Sequence, residues 1–216
     1  MEAGTDFGIN GAKVDGTVKA LTQFTTEHLV HQLMVAGRSW KAYAGDPFPL
    51  NTCPVYRWPA PQVLFNDITD DASSRAPVCI AHIRPLSELA GNLANGTVPD
   101  YSFIVPDLCD SMHTECNGVN QIKAGDNWLR TTVPQILNSK QYKEGGALFI
   151  VWDEALKGDG PIPMIVMSPF AKPGFGNNIY YDHGSLLRTV EEIFDVPLLR
   201  NANQEKDLSN LFSVFP

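Results

Sequence analysis

Two short, unbroken apolar runs limit the folds open to this chain more than any other feature. Ala147-Leu148-Phe149-Ile150-Val151-Trp152 ends on Asp153-Glu154, and Pro163-Met164-Ile165-Val166-Met167 ends on Ser168-Pro169. A strand wetted on one face alternates apolar and polar residues. A run without alternation reads as a strand covered on both faces, which points to a sheet between two layers of helices. Candidate covering helices lie at 25–37, 86–93, 127–137 (despite Pro134) and 185–194. The first has Thr25 or Thr26 as a cap and a stripe of Leu29, Leu33, Met34 and Val35. The last carries Leu186, Leu187, Val190, Ile193 and Phe194 on one face. Further strands fit 39–43 and 101–105, the second stopped by Pro106, while 4–20 and the Pro-rich 46–61 read as irregular. Strands alternating with helices predict an α/β fold with a mostly parallel sheet flanked by helices.

With 216 residues, 44% of them hydrophobic, the chain can bury one sizeable core, so 1–216 reads as a single domain. The net charge is −8 and the 16 Lys and Arg form no cluster, which argues against a nucleic-acid backbone as partner. An acidic chain can still handle a phosphate ester when a metal ion supplies local positive charge. No apolar run is long enough for a transmembrane helix, and the first residues lack the basic start and apolar core of a signal peptide. Cys53, Cys79, Cys109 and Cys116 allow three pairings, of which Cys53–Cys79 with Cys109–Cys116 is the local one; four free thiols are the alternative. There is no Cys-x-x-Cys pair to suggest a metal-thiolate site.

Three segments concentrate the chemistry. The loop after the 101–105 strand reads Val105-Pro106-Asp107-Leu108-Cys109-Asp110-Ser111-Met112-His113. The 147–152 strand ends on the adjacent acids Asp153 and Glu154, and the last helix opens on Tyr181-Asp182-His183-Gly184-Ser185. Carboxylate oxygens with imidazole nitrogens are the ligand set of zinc, manganese and iron sites. The carboxyl ends of strands are where α/β sheets bind ligands. Each segment also has a plain structural reading: a capped turn, solvated acids, and a helix whose cap is Asp182 or Ser185. Taken together, they form the carboxylate/imidazole constellation from which metallohydrolase sites are built.

In this order the chain resembles the bacterial phosphoesterase family that includes acid phosphatases and phospholipase C enzymes, within the alkaline-phosphatase-like superfamily. The collinear landmarks are Ala36-Gly37-Arg38-Ser39-Trp40-Lys41-Ala42-Tyr43, Leu64-Phe65-Asn66-Asp67-Ile68 and Val98-Pro99-Asp100-Tyr101-Ser102-Phe103-Ile104-Val105-Pro106. Gly125-Asp126-Asn127-Trp128-Leu129, Trp152-Asp153-Glu154 and Asp182-His183-Gly184-Ser185 follow. The resemblance implies a phosphate-ester or phospholipid-head-group substrate and a divalent or transition metal cofactor, with zinc, manganese, iron or calcium as candidates. It implies Asp153, Glu154 and Asp110 as metal ligands, His113 and His183 as catalytic groups, and Asp107 and Asp126 on the substrate side. It also implies that the four Cys are paired and that the protein is extracytoplasmic, since secreted relatives carry Cys at matching positions.

The chain departs from the family pattern at Asp107, where Asn is usual, and at Ser111, where Asp is common. It departs again at Arg57-Trp58-Pro59-Ala60-Pro61, where a Lys-His-Asn-Pro stretch is usual. The family's Glu-Asn metal motif and its Ser or Thr nucleophile belong upstream of Gly4-Thr5-Asp6-Phe7-Gly8, so the resemblance implies an N-terminally truncated domain with little turnover alone. The missing segment would then be a partner. Two other readings stand beside this one: a degenerate, non-catalytic metal- or phosphate-binding protein, and a sulfate- or phosphonate-ester hydrolase of the same superfamily.

Overall fold

The computed structural model describes residues 2–9, 18–45, 48–54, 60–155 and 160–215. Arg57, Trp58 and Pro59 lie outside the described residues. The elements in chain order are α1 (Val18–Leu21), α2 (Leu29–Val35), β1 (Trp40–Ala44), α3 (Asn66–Thr69), α4 (Pro77–His82), β2 (Ile83–Pro85) and α5 (Ser87–Asn95). They continue with β3 (Tyr101–Val105), α6 (Gln121–Asn138), α7 (Lys140–Lys143), β4 (Leu148–Val151), β5 (Met164–Met167) and α8 (His183–Ile193). Three short 3-10 turns, Pro61–Leu64, Arg200–Gln204 and Ser209–Leu211, complete the set.

β2, β1 and β3 form a parallel sheet in that order, with Ala42 opposite both Ile83 and Phe103. Side-chain alternation along the central strand fills two layers. Tyr43 faces Leu89 and Leu93 of α5, with Ile104 and Ile136 packed against them. Trp40 and Ala42 join the larger core of Leu29, Val30 and Leu33 from α2 and Leu186, Leu187 and Val190 from α8. The chain is therefore α/β, with helices on both faces of the parallel sheet.

β4 and β5 depart from the expectation. They pair with each other antiparallel, Phe149 opposite Val166 and Ile150 opposite Ile165. All four residues of β4 are only half-buried, and Ile165 is exposed. Phe149, Val151, Met164 and Val166 pack against the core. The alternate positions face away, so the expectation of two covered faces is corrected to one. An apolar run records which side chains are available for burial, not how many layers the chain supplies to bury them.

Helix starts follow capping more than periodicity. α2 begins at Leu29 rather than at 25, because the Thr25 hydroxyl accepts from the Glu27 amide in a preceding turn and the His28 ring takes the cap, accepting from the His31 amide at 3.4 Å. α6 begins earlier than expected, at Gln121, because Asn120 Oδ1 accepts from the amides of Ile122 and Lys123; the helix then runs through Pro134. α8 opens on a reciprocal box in which Asp182 accepts from the Ser185 amide and the Ser185 hydroxyl accepts from the Asp182 amide. Both local disulfides are present, Cys53–Cys79 and Cys109–Cys116, with Cα atoms 5.3 and 5.7 Å apart.

Candidate functional site

The loop that leaves β3 is held against the end of β1 by backbone contact. The Gly45 amide donates to the Val105 carbonyl at 2.8 Å, and a Cβ at Gly45 would stand 2.2 Å from the Asp107 nitrogen. Only glycine permits that approach. Gly125 of α6 does the same from the other side, where a Cβ would meet the Met112 side chain and the Asp110 carbonyl. The loop then folds on itself. Asp107 Oδ1 accepts from the amides of Cys109 and Asp110, both at 2.9 Å, the Thr114 amide reaches the Leu108 carbonyl, and Cys109–Cys116 closes the ring. Burial, then the nearby charge of Asp107, raises the pKa of Asp110 above the ordinary carboxylate range. His113 is exposed, its Nδ1 2.9 Å from the Thr114 hydroxyl.

Asp153 and Glu154 stand just past β4, both exposed, and the Glu154 amide donates to Asp153 Oδ1 at 2.9 Å. His183 is brought to them by the capped start of α8. Its Nε2 lies 2.8 Å from the Asp153 carbonyl oxygen and donates to it. That bond leaves Nδ1 as the free lone pair, and Nδ1 is buried without a partner among the described residues. The structure thus joins His183 to the Asp153–Glu154 pair. Asp126 lies elsewhere in its bonding: its carboxylate takes the Arg130 guanidinium one turn along the exposed face of α6, at 2.6 Å.

One cluster escaped the sequence reading. Among the described residues, the three-residue group of His, Cys, Asp or Glu with donor atoms all within 4.8 Å of one another is His28, His31 and Asp67. His28 Nε2 lies 2.9 Å from Asp67 Oδ1, and His31 Nδ1 lies 2.9 Å from Asp67 Oδ2. His28 is fully buried, stacked on the Phe65 ring at 3.9 Å between centroids. Burial pushes the Asp67 carboxyl up, but the hydrogen bonds and charge of the two imidazoles outweigh it and hold the group below the ordinary carboxylate range. The local signal was His-x-x-His at the start of a helix, which places both rings on one face. Nothing local points from it to Asp67, 36 residues beyond His31.

A model of the phosphoesterase family matches residues 2–197. The chain belongs to the phosphoesterase family. It is similar to a phosphate-repressible acid phosphatase of Penicillium chrysogenum, 24% identical over 185 residues, an alignment covering 82% of this chain and 42% of that protein. It is also similar to an acid phosphatase of Aspergillus fumigatus, 21% identical over 144 residues, covering 64% of this chain and 30% of that enzyme. Both relatives are fungal, and the phosphoesterase chain described here spans less than half the length of either.

Donor chemistry at the β4 end suits the metal that the family resemblance implies. Two adjacent carboxylates and an imidazole with an orphaned, buried lone pair are hard and borderline ligands for a divalent ion. Asp110, His113, Asp153, Glu154 and His183 do not supply a group of three donors within 4.8 Å among the described residues, so a closed site there requires side-chain movement or further donors.

Proposed function

We propose that this chain carries the acidic and histidine-bearing portion of a metal-dependent phosphate-ester hydrolase of the acid phosphatase type. The observation that carries the reading is the contact between His183 and the Asp153–Glu154 strand end, within a chain that matches the phosphoesterase family from residue 2 to 197. Asp153 and Glu154, with Asp110 from the β3 loop, would hold a divalent or transition ion that offsets charge on the phosphoryl oxygens and lowers the pKa of an attacking hydroxyl. His183, fixed through Nε2 on the Asp153 carbonyl, presents Nδ1 to hold or release a proton at a phosphoryl or leaving-group oxygen. His113, exposed on the disulfide-closed loop with Nδ1 on the Thr114 hydroxyl, would be the second imidazole at the phosphoryl group. A substrate contact from Asp107 or Asp126 would share the carboxylate with the backbone amides of Cys109 and Asp110 or with Arg130.

The reading takes the nucleophile from outside three conspicuous hydroxyls. Ser39 Oγ donates to Asp100, Ser168 Oγ accepts from the Phe170 amide, and Thr25 Oγ1 accepts from the Glu27 amide. A Ser or Thr hydroxyl other than these three would attack phosphorus in line, and the phosphoenzyme would then be hydrolysed. Phosphomonoesters are the preferred substrate class, with a phospholipid head group the diester variant. The two disulfides support an extracytoplasmic setting.

The test is p-nitrophenyl phosphate turnover with and without added metal. The expected result is metal-dependent turnover, lost in Asp153→Ala. Metal-independent turnover, or turnover that survives Asp153→Ala, overturns the reading. Faster hydrolysis of a sulfate ester than of the matching phosphate ester would move the reaction to the sulfate class. The local bonds of Asp107 and Asp126 favour one alternative, a non-catalytic phosphate or metal binder, for which binding would persist with no turnover.

A further inference from the structure

We propose that His28, His31 and Asp67 form a cation site of their own, apart from the β4 strand end, that takes a divalent ion of the zinc class. The three donors come from the start of α2 and the first turn of α3, and all lie within 4.8 Å of one another. Tetrahedral zinc sets its nitrogen and oxygen ligands about 2.0–2.1 Å from the ion, hence roughly 3.3 Å from each other. His28 Nε2 is 2.9 Å from Asp67 Oδ1 and His31 Nδ1 is 2.9 Å from Oδ2, so an ion held by one carboxylate oxygen has one imidazole already near that spacing and draws the other in from within the 4.8 Å set. Two imidazoles and one carboxylate favour zinc, cobalt, nickel or copper over calcium or magnesium, which prefer all-oxygen shells.

The surroundings give the set both rigidity and access. His28 has no exposed side-chain surface and is stacked on Phe65, so its ring is pre-oriented. His31 and Asp67 keep 30% and 23% of their side-chain surface exposed, which leaves an entry route and room for a water as the fourth ligand. His28 Nδ1 accepts from the His31 amide at 3.4 Å, so in the metal-free tautomer Nε2 carries the proton and donates it to Asp67. An ion on Nε2 requires that proton to sit on Nδ1 instead, which gives up the long cap bond. Binding therefore carries a signature: the ion cross-links α2 to α3 while releasing the His31 amide from its cap.

The experiment uses the Asp153→Ala/Glu154→Ala variant of the full chain, so that its outcome is separate from that of the proposed hydrolase site. Zinc is titrated by calorimetry and cobalt by its visible absorption, with thermal unfolding and the His31 amide resonance followed in parallel. The expected result is one equivalent bound, a rise in Tm, a cobalt spectrum of a four- or five-coordinate site and a shift of the His31 amide. His31→Ala and Asp67→Asn should each weaken binding by at least about tenfold and remove the Tm rise. His31 is partly exposed and Asp67→Asn nearly isosteric, so both variants keep the fold testable where His28→Ala does not. Absence of any bound equivalent in the parent variant overturns the proposal, as does binding undiminished in both His31→Ala and Asp67→Asn.

Discussion

The start of α2 and the end of β4 both carry imidazole and carboxylate, and they are built in opposite ways. At α2, His28 is buried, stacked on Phe65 and joined by side chain to both His31 and Asp67. At β4, Asp153 and Glu154 are exposed, and His183 reaches them through a backbone carbonyl rather than a carboxylate. The first arrangement satisfies its own polar atoms and contributes to holding the fold together. The second leaves His183 Nδ1 buried without a partner among the described residues.

That contrast can be broken most directly by truncating each set. His28→Ala removes the stacked ring, the α2 cap and one partner of Asp67, and is expected to destabilise the fold by about 3 kcal/mol or more. Asp153→Ala should change stability by less than about 0.5 kcal/mol, as for an exposed acid. Urea unfolding of the two variants side by side checks both, and equal losses would erase the distinction.

Glu191 offers a pH test of a buried acid against those exposed ones. It has no exposed surface, its Oε1 accepts from the Leu199 amide, and burial first of all raises its pKa from 4.5 to about 7. The folded state therefore holds a proton that the unfolded chain releases across that window. Its contribution is fully present below about pH 4.5 and is lost as pH rises through about 7. The full swing is bounded at roughly 3 kcal/mol for a shift of this size. Glu191→Gln should flatten this part of the stability–pH profile and leave the variant more stable than the parent at pH 8; an unchanged profile counts against it.

The disulfides sharpen the comparison further. Cys53–Cys79 closes a 26-residue separation inside the core, and Cys109–Cys116 closes a 7-residue one in the β3 loop. Chain-entropy reasoning gives about 3.5 and 2.4 kcal/mol for loops of these sizes. Replacing the first pair by Ala should lower Tm more than replacing the second, whose loss should instead appear as faster amide exchange across 107–116. A smaller effect than at either disulfide is expected at Asp107. Asp107→Ala removes the acceptor for two amides and should cost about 1 kcal/mol, whereas Asp107→Asn keeps the acceptor and should be close to neutral. A large loss of stability in the Asn variant would mean the negative charge matters to more than the turn.

Several parts of this molecule were legible from residue pattern alone. The strands at 39–43 and 101–105, the helix at 185–194 and the acids past β4 all depend on local periodicity, breakers and caps, and local energetics decided them. Helix starts were less legible, because at α2 the cap is a His that stacks on a ring from another segment. The side-chain partners of Asp107 and Asp126 were also settled by contacts within one turn, yet they assign those acids to a loop cap and a helix surface pair.

Composition and spacing by themselves determined that this chain is α/β, acidic, and carries its carboxylates and imidazoles at strand ends and helix starts. Only the tertiary structure decided that β4 and β5 pair antiparallel with one face covered, that His183 leans on the Asp153 backbone, and that Asp67 closes with His28 and His31. The physical reason is range. Periodicity and capping act within a few residues, whereas pairing direction, layer count and a carboxylate shared across 36 residues depend on which surfaces the collapsed chain brings together.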